Sequence, residues 1–285
     1  MAALEGESGR IKVPIDRVAA AAYRIVFGRL GRLLELAWLP MLVLLAVELV
    51  PGLVSAYFWP DDTEAAASLA GANIAEALIA MLCLSAFAVR WHHLVLAADR
   101  PLPPRRFLAV WARFLGYSLP FYLAILGAAA GVSAALDTLS AAAADHQVAG
   151  LAELITQNTA DALVATIALA VSLVLARCSL VFPAVVIGQS LGLMGAWRRM
   201  RGNTWRFIAA TLLVTAPIML LAAVLLDLIL VGAHLPLPDA LAHPPLGLFL
   251  LNGVLDIVLL FLFVALGATV LADFYRRLVL HIRSN

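Results

Sequence analysis

The sequence predicts an all-α, polytopic membrane bundle of six transmembrane helices with three amphipathic helices on the cytoplasmic side. Three observations carry that prediction. The 19 Lys and Arg residues all fall in four segments, 10–32, 90–113, 177–206 and 276–283, and the three segments between them contain none. Short cytoplasmic loops keep Arg and Lys while translocated ones lose them, so two spans between each pair of basic segments leave both termini cytoplasmic. Composition is the second observation: 64% apolar and 13% charged residues exclude an ordinary soluble domain, which is about half apolar and about a quarter charged. The third is that each apolar run is long enough, at about 1.5 Å per residue, to cross a hydrocarbon core of about 30 Å.

The elements follow in order. An interfacial helix is expected over 14–27, with Ile15, Val18, Ala22 and Val26 on one side and Arg17 and Arg24 on the other. Arg29 breaks that pattern between Gly28 and Gly31, where the chain can turn into a first span over 36–58. The second span, 65–89, returns to Arg90. Over 104–113 the pattern repeats: Phe107, Val110, Trp111 and Phe114 share a face, and Arg105, Arg106 and Arg113 oppose it. Spans over 114–136 and 161–183 come next, the latter keeping Arg177 near its inner end. Between them Val148, Leu151, Ala152 and Ile155 form one side of a short surface helix.

A third interfacial helix, 193–206, aligns Leu193, Trp197, Met200 and Phe207 against Arg198, Arg199 and Arg206, with Gly202 at the bend into the span over 207–231. The last span covers 246–272. Pro40, Pro120 and Pro217 sit in the inner halves of the three outgoing spans, where each frees a carbonyl one turn earlier and kinks the helix. They mark either a degenerate threefold repeat or three independent prolines in a tolerant environment. The whole chain, 1–285, reads as a single membrane domain, because six spans of roughly 20 to 25 residues leave no stretch to bury a separate soluble core. The first apolar run starts only after Arg32 and lacks a small-residue cleavage pattern, so the first span is expected to stay as an anchor, and no lipidation signal is apparent.

Four acids fall inside expected spans: Glu48, Glu76, Asp227 and Asp256. Counted from Leu246, Asp256 lies about 15 Å deep, where a carboxylate costs about 3 kcal/mol unless it is protonated, paired or hydrated. One reading is an outward-facing hydrated cavity that binds a cation, relays protons or receives a polar headgroup. The other is hydrogen bonding between helices, with Asn252 one turn before Asp256 as a partner.

On the basic side, Arg90 and Arg177 mark the inner ends of returning spans, either as snorkelling anchors or as phosphate ligands. Arg105, Arg106, Arg198, Arg199, Arg201 and Arg206, beside Trp91, Trp111, Trp197 and Trp205, form a basic and aromatic belt. Near anionic lipid each such Arg contributes about 1 kcal/mol.

Nucleic-acid binding is not indicated, since the basic residues adjoin apolar runs. Cys83 and Cys178 read as free thiols inside spans. Neighbouring His92 and His93 diverge by about 100° on a helix, which suits interface residues better than a shared metal. No zinc helix, phosphate-binding glycine loop or nucleophile elbow is present in the sequence. No catalytic, cofactor or metal residue is therefore assigned, and a lipid-modifying enzyme is the least favoured class.

One family resemblance rests on Arg177-Cys-Ser-Leu-Val-Phe-Pro183-Ala and on Gly192-Leu-Met-Gly-Ala196-Trp197-Arg198-Arg199-Met200-Arg201-Gly202-Asn203-Thr-Trp205-Arg206, together with Tyr23-Arg24 and Pro40. These stretches resemble the YciC-type bacterial inner-membrane proteins and the membrane domain found beside some glycerophosphodiester phosphodiesterases. The resemblance implies a multi-pass protein of the bacterial inner membrane. It brings no hydrolase activity, because no phosphodiesterase domain is present, and no functional residues. The expected function is a non-enzymatic membrane protein that binds anionic lipid headgroups, a protein partner or a second copy of itself through an Arg-rich collar, in transport or envelope homeostasis. The alternative is a small-solute or ion transporter with an acidic outward cavity around Asp256.

Overall fold

The computed structural model describes residues 12–57, 63–97, 102–145, 166, 169–232 and 246–280. All regular structure among them is helical. In chain order the helices are α1 (Ile15–Gly28), α2 (Leu30–Tyr57), α3 (Thr63–Ala97), α4 (Pro104–Asp145), α5 (169–178), α6 (Val181–Val186), α7 (Leu193–Met200), α8 (Thr204–Gly232) and α9 (Leu246–Leu278). Six stretches, beginning at Leu30, Ala75, Pro104, Leu169, Thr204 and Leu250, are long and apolar enough to cross a membrane. The molecule is an integral, multi-pass helical membrane protein. The surface helix expected around Val148 to Ile155 lies outside the described residues.

Three places show how local sequence ends or bends these helices. The fourth span breaks at Ser179–Leu180 and resumes as α6. Pro183 has no N–H to give the Ser179 carbonyl, and the Phe182 N–H takes it at 3.0 Å in a tighter turn. Helix α6 then stops in a Schellman motif: Gly188 at φ +78° gives its N–H to Val185 O, and Gln189 gives its own to Ala184 O at 2.8 Å. Between α7 and α8 the chain makes a type II turn. Arg201 sits at φ −56°, ψ 126°, Gly202 at φ +85°, and the Asn203 N–H closes the turn on Met200 O at 2.9 Å. The bend expected at Gly202 is therefore a backbone conformation that a side chain would strain.

The amphipathic segments differ among themselves. Helix α1 buries Val18, Ala19, Ala22 and Val26 against α8 and α9, so its apolar side is covered by protein, while Arg17 and Arg24 stay exposed. The segment 104–113, expected as a separate in-plane helix, is instead the opening of one continuous helix running to Asp145. No residue there takes a turn conformation, and Pro104 at the first helical position is preorganised to start a helix. The third amphipathic helix stops at Met200, and Trp205 and Arg206 belong to the first turn of α8. Helices α2, α4 and α8 run on through Pro40, Pro120 and Pro217. Two residues before Pro120 and Pro217, hydroxyls back-bond within the helix: Ser118 to Phe114 O at 2.9 Å and Thr215 to Thr211 O at 3.0 Å.

The core sits at the Arg-rich end. Trp91, Phe87, Phe261, Tyr275, Phe274, Leu266 and Met200 are fully buried there, with Phe87 edge-on to Phe261 at 5.0 Å and Phe207 edge-on to Phe274 at 5.4 Å. Further along the spans Leu39, Leu42, Leu123, Leu212 and Leu220 point outward. In hydrocarbon such faces carry no penalty, so exposed leucines there mark lipid-facing sides. Trp91 Nε1 donates to Thr269 Oγ1 at 2.9 Å, and that hydroxyl donates to Ala265 O at 2.7 Å, joining α3 to α9 inside the apolar core. Trp91→Phe removes a buried donor and leaves a void, a cost of about 2 kcal/mol. Thermal unfolding in detergent should fall by roughly 5 °C, whereas Trp38→Phe, on an exposed ring, should leave the midpoint in place; equal midpoints would contradict this packing.

Candidate functional site at the arginine-rich end

The four basic segments meet at one end of the bundle, and direct contacts join them. Arg276 Nη2, in the last turn of α9, donates to Val95 O near the end of α3. Arg199 Nη1 donates to Leu278 O at the end of α9 at 3.1 Å. Arg206 Nη1 donates to Val13 O at 2.9 Å, while Asn203 Oδ1 accepts the Val13 N–H at 3.1 Å. The strand of chain entering α1 is thus held on both of its polar backbone groups by the α7–α8 turn. Each of these guanidiniums satisfies a carbonyl that a helix end or an entry segment leaves without a partner, and at a helix C-terminus its charge also suits the macrodipole. Arg277 Nε meets Asp273 Oδ2 at 2.8 Å, with side chains only 13% and 8% exposed. Tyr23 donates to Val214 O at 2.8 Å, pinning α1 to α8, and partial burial pushes its phenol above the usual range, keeping it a donor.

The expected headgroup residues therefore divide. Arg199 and Arg206 face carbonyls of their own chain. Arg105, Arg106, Arg198 and Arg201 are exposed and make no hydrogen bond or ion pair among the described residues. Arg90 lies over the Phe107 ring at 4.8 Å, and that ring stacks on Trp111, whose Nε1 donates to Ser85 Oγ at 2.9 Å. The expected apolar face of 104–113 thus packs on α3, leaving Arg105, Arg106 and Arg113 outward. His92, expected at an interface, is buried, with no partner for Nδ1 among the described residues.

Arg177 occupies a different setting. Its guanidinium lies over the Trp197 ring at 4.6 Å, and Nε donates to Thr204 Oγ1 at 3.4 Å. The Thr204 hydroxyl spends its proton on Met200 O at 3.3 Å, so its oxygen is an acceptor for Arg177. A cavity of about 440 Å³ opens beside them between α5, α7 and α8. A second cavity, about 460 Å³, lies between α4 and the segment after α6, with Arg113, Gly188 and Gln189 on its wall. Tyr275 donates to Gln189 Oε1 at 2.5 Å beneath it.

Three of the four acids expected within spans come together. Glu48 on α2, Glu76 on α3 and Asp256 on α9 sit on mutually packed helices, close enough for the Asp256 and Glu76 carboxylates to act electrostatically on Glu48. Glu48 and Glu76 are half-buried and Asp256 is exposed, with Asn252 Nδ2 donating to Asp256 Oδ2 at 2.9 Å. Gly253 allows the close approach of α2 here, since a Cβ at that position would stand 2.7 Å from Leu49 Cδ2. The Asp227 side chain lies outside the described residues. Among the described residues, no His, Cys, Asp or Glu group is arranged to hold a metal ion, and Cys83 and Cys178 are free.

The carbonyl-binding role of Arg199, Arg206 and Arg276 has no local signature, because each acceptor is far away in sequence. Arg199→Ala should cost about 1 kcal/mol, lowering the unfolding midpoint by roughly 3 °C, while Arg198→Ala one position earlier leaves it unchanged. Asp273→Asn should cost more, about 3 kcal/mol, because it strands a nearly buried guanidinium charge; chemical denaturation in detergent reads both, and a smaller loss for Asp273→Asn than for Arg199→Ala would refute the assignment. No family model, curated protein or solved structure matches this chain.

Proposed function

We propose that this protein is a non-enzymatic component of the bacterial inner membrane, with both termini cytoplasmic, that engages anionic lipid headgroups through its Arg-rich end. One observation carries the proposal. Within a single end of the bundle, Arg105, Arg106, Arg198 and Arg201 project outward with no acceptor among the described residues, while neighbouring arginines are consumed by carbonyls. Exposed guanidiniums at the mouth of lipid-facing helices are suited to phosphates, each contributing about 1 kcal/mol near an anionic surface. Trp205, 60% exposed in the first turn of α8, adds the amphipathic ring typical of the headgroup level.

Replacing Arg105, Arg106, Arg198 and Arg201 together by Gln should lower the ratio of phosphatidylglycerol to phosphatidylethanolamine retained on purification by at least threefold, since among the described residues these side chains make no hydrogen bond or ion pair. Quantitative lipid analysis of the purified protein reads the ratio. An unchanged ratio overturns the lipid reading and leaves a protein partner or a second copy as the occupant of that surface.

A second reading has its own observation, the convergence of Glu48, Glu76 and Asp256 on three packed helices. Grouped carboxylates in spans suit cation or proton coupling in a small-solute transporter. Reconstituted protein would then show a cation- or proton-driven flux that falls at least tenfold in Asp256→Asn; a flux indifferent to that change, or no flux, removes this reading.

A further inference from the structure

We propose that the cavity between α5, α7 and α8 is a binding site for one anionic phospholipid, with its phosphate on Arg177 and an acyl chain along α5. The proposal rests on the lipid reading above and deepens it from a charged surface to a single defined site. Arg90 is oriented by its ring contact alone, whereas the Arg177 guanidinium is held by both a ring and a hydroxyl and keeps donors left over. The Trp197 ring at 4.6 Å fixes its plane and the Thr204 hydroxyl engages Nε, yet no protein acceptor meets its Nη atoms among the described residues. Among the described residues no carboxylate lines the cavity. A planar guanidinium held in this way presents a fork that matches two phosphate oxygens.

The remaining wall decides between a lipid and a free anion. It passes from Arg177, Trp197 and Thr204 to Leu173 and Val174, which lie on a membrane-spanning stretch, and Val174 is 49% exposed, so the cavity opens sideways along the apolar span. Inorganic phosphate would satisfy the guanidinium and leave that wall uncovered. An amphiphile covers both, and about 440 Å³ falls within the usual range of small-molecule sites, about 300 to 1,000 Å³. The cavity beside Arg113 has similar volume, but no described ring or hydroxyl orients that guanidinium.

Native mass spectrometry of the full chain in mild detergent, titrated with phosphatidylglycerol, tests the site. One tightly held lipid per chain is expected, with phosphatidylcholine competing poorly and millimolar inorganic phosphate failing to displace it. Arg177→Gln should weaken that first lipid about tenfold. Val174→Trp, at an exposed position, fills the cavity without touching charge and should also expel the lipid, which keeps the test valid if Arg177→Gln does not fold. The fourfold Gln replacement of Arg105, Arg106, Arg198 and Arg201 should leave the first lipid bound while reducing further ones. A first lipid that survives both cavity variants but is lost in the fourfold variant overturns the site and leaves the surface reading standing. Indifference to all three variants overturns both, and displacement by phosphate alone identifies a phosphate site and overturns the phospholipid assignment.

Discussion

A guanidinium cannot be dissolved in hydrocarbon at acceptable cost, and a backbone carbonyl cannot be left there without a donor. At one end of this bundle the two requirements resolve each other. Helices α3 and α9 stop where arginines accumulate, and their last carbonyls, at Val95 and Leu278, are met by Arg276 and Arg199. The entry to α1 is held in the same way by Arg206 and Asn203 at Val13. The buried core of Trp91, Phe87, Phe261 and Tyr275 forms at this end as well, because here the helices converge on short segments that need a floor, while further along the spans lipid serves as the other half of the packing.

That arrangement gives the arginines unequal chemistry. A basic collar counted from sequence looks uniform, but part of it is structural: a guanidinium already serving a helix end has fewer donors and less freedom for a headgroup. Those on the outer faces of α4 and α7 retain theirs, and Arg177 is intermediate, oriented by Trp197 and Thr204 but not saturated. Orientation without saturation is the feature on which the proposed lipid site rests, since ordering costs would be met before a ligand arrives.

The acids obey a different logic. Glu48, Glu76 and Asp256 sit on α2, α3 and α9, which pack on one another, and Gly253 lets α2 and α9 approach closely beside them. That each acid falls within an apolar run was legible from counting residues. That the three share one side of three different helices was not, because it depends on how each helix is rotated about its axis, and a predominantly apolar span has little amphipathicity to set that rotation.

Local composition determined the existence of six spans, the gathering of arginine at their ends, the apolar side of α1 and the bend at Gly202. These follow from transfer free energies and backbone sterics, which act residue by residue and so can be read along the chain. It misjudged the start of α4, where no turn residue interrupts the helix, and it could not foresee that neighbouring helices bury His92. Only the tertiary structure decided which arginines are consumed, which carbonyls they serve, and where Arg177 finds Trp197 and a cavity. A guanidinium's partner is chosen by which helix ends are brought within about 3 Å of it, and that proximity is a property of the packed bundle, absent from the order of residues.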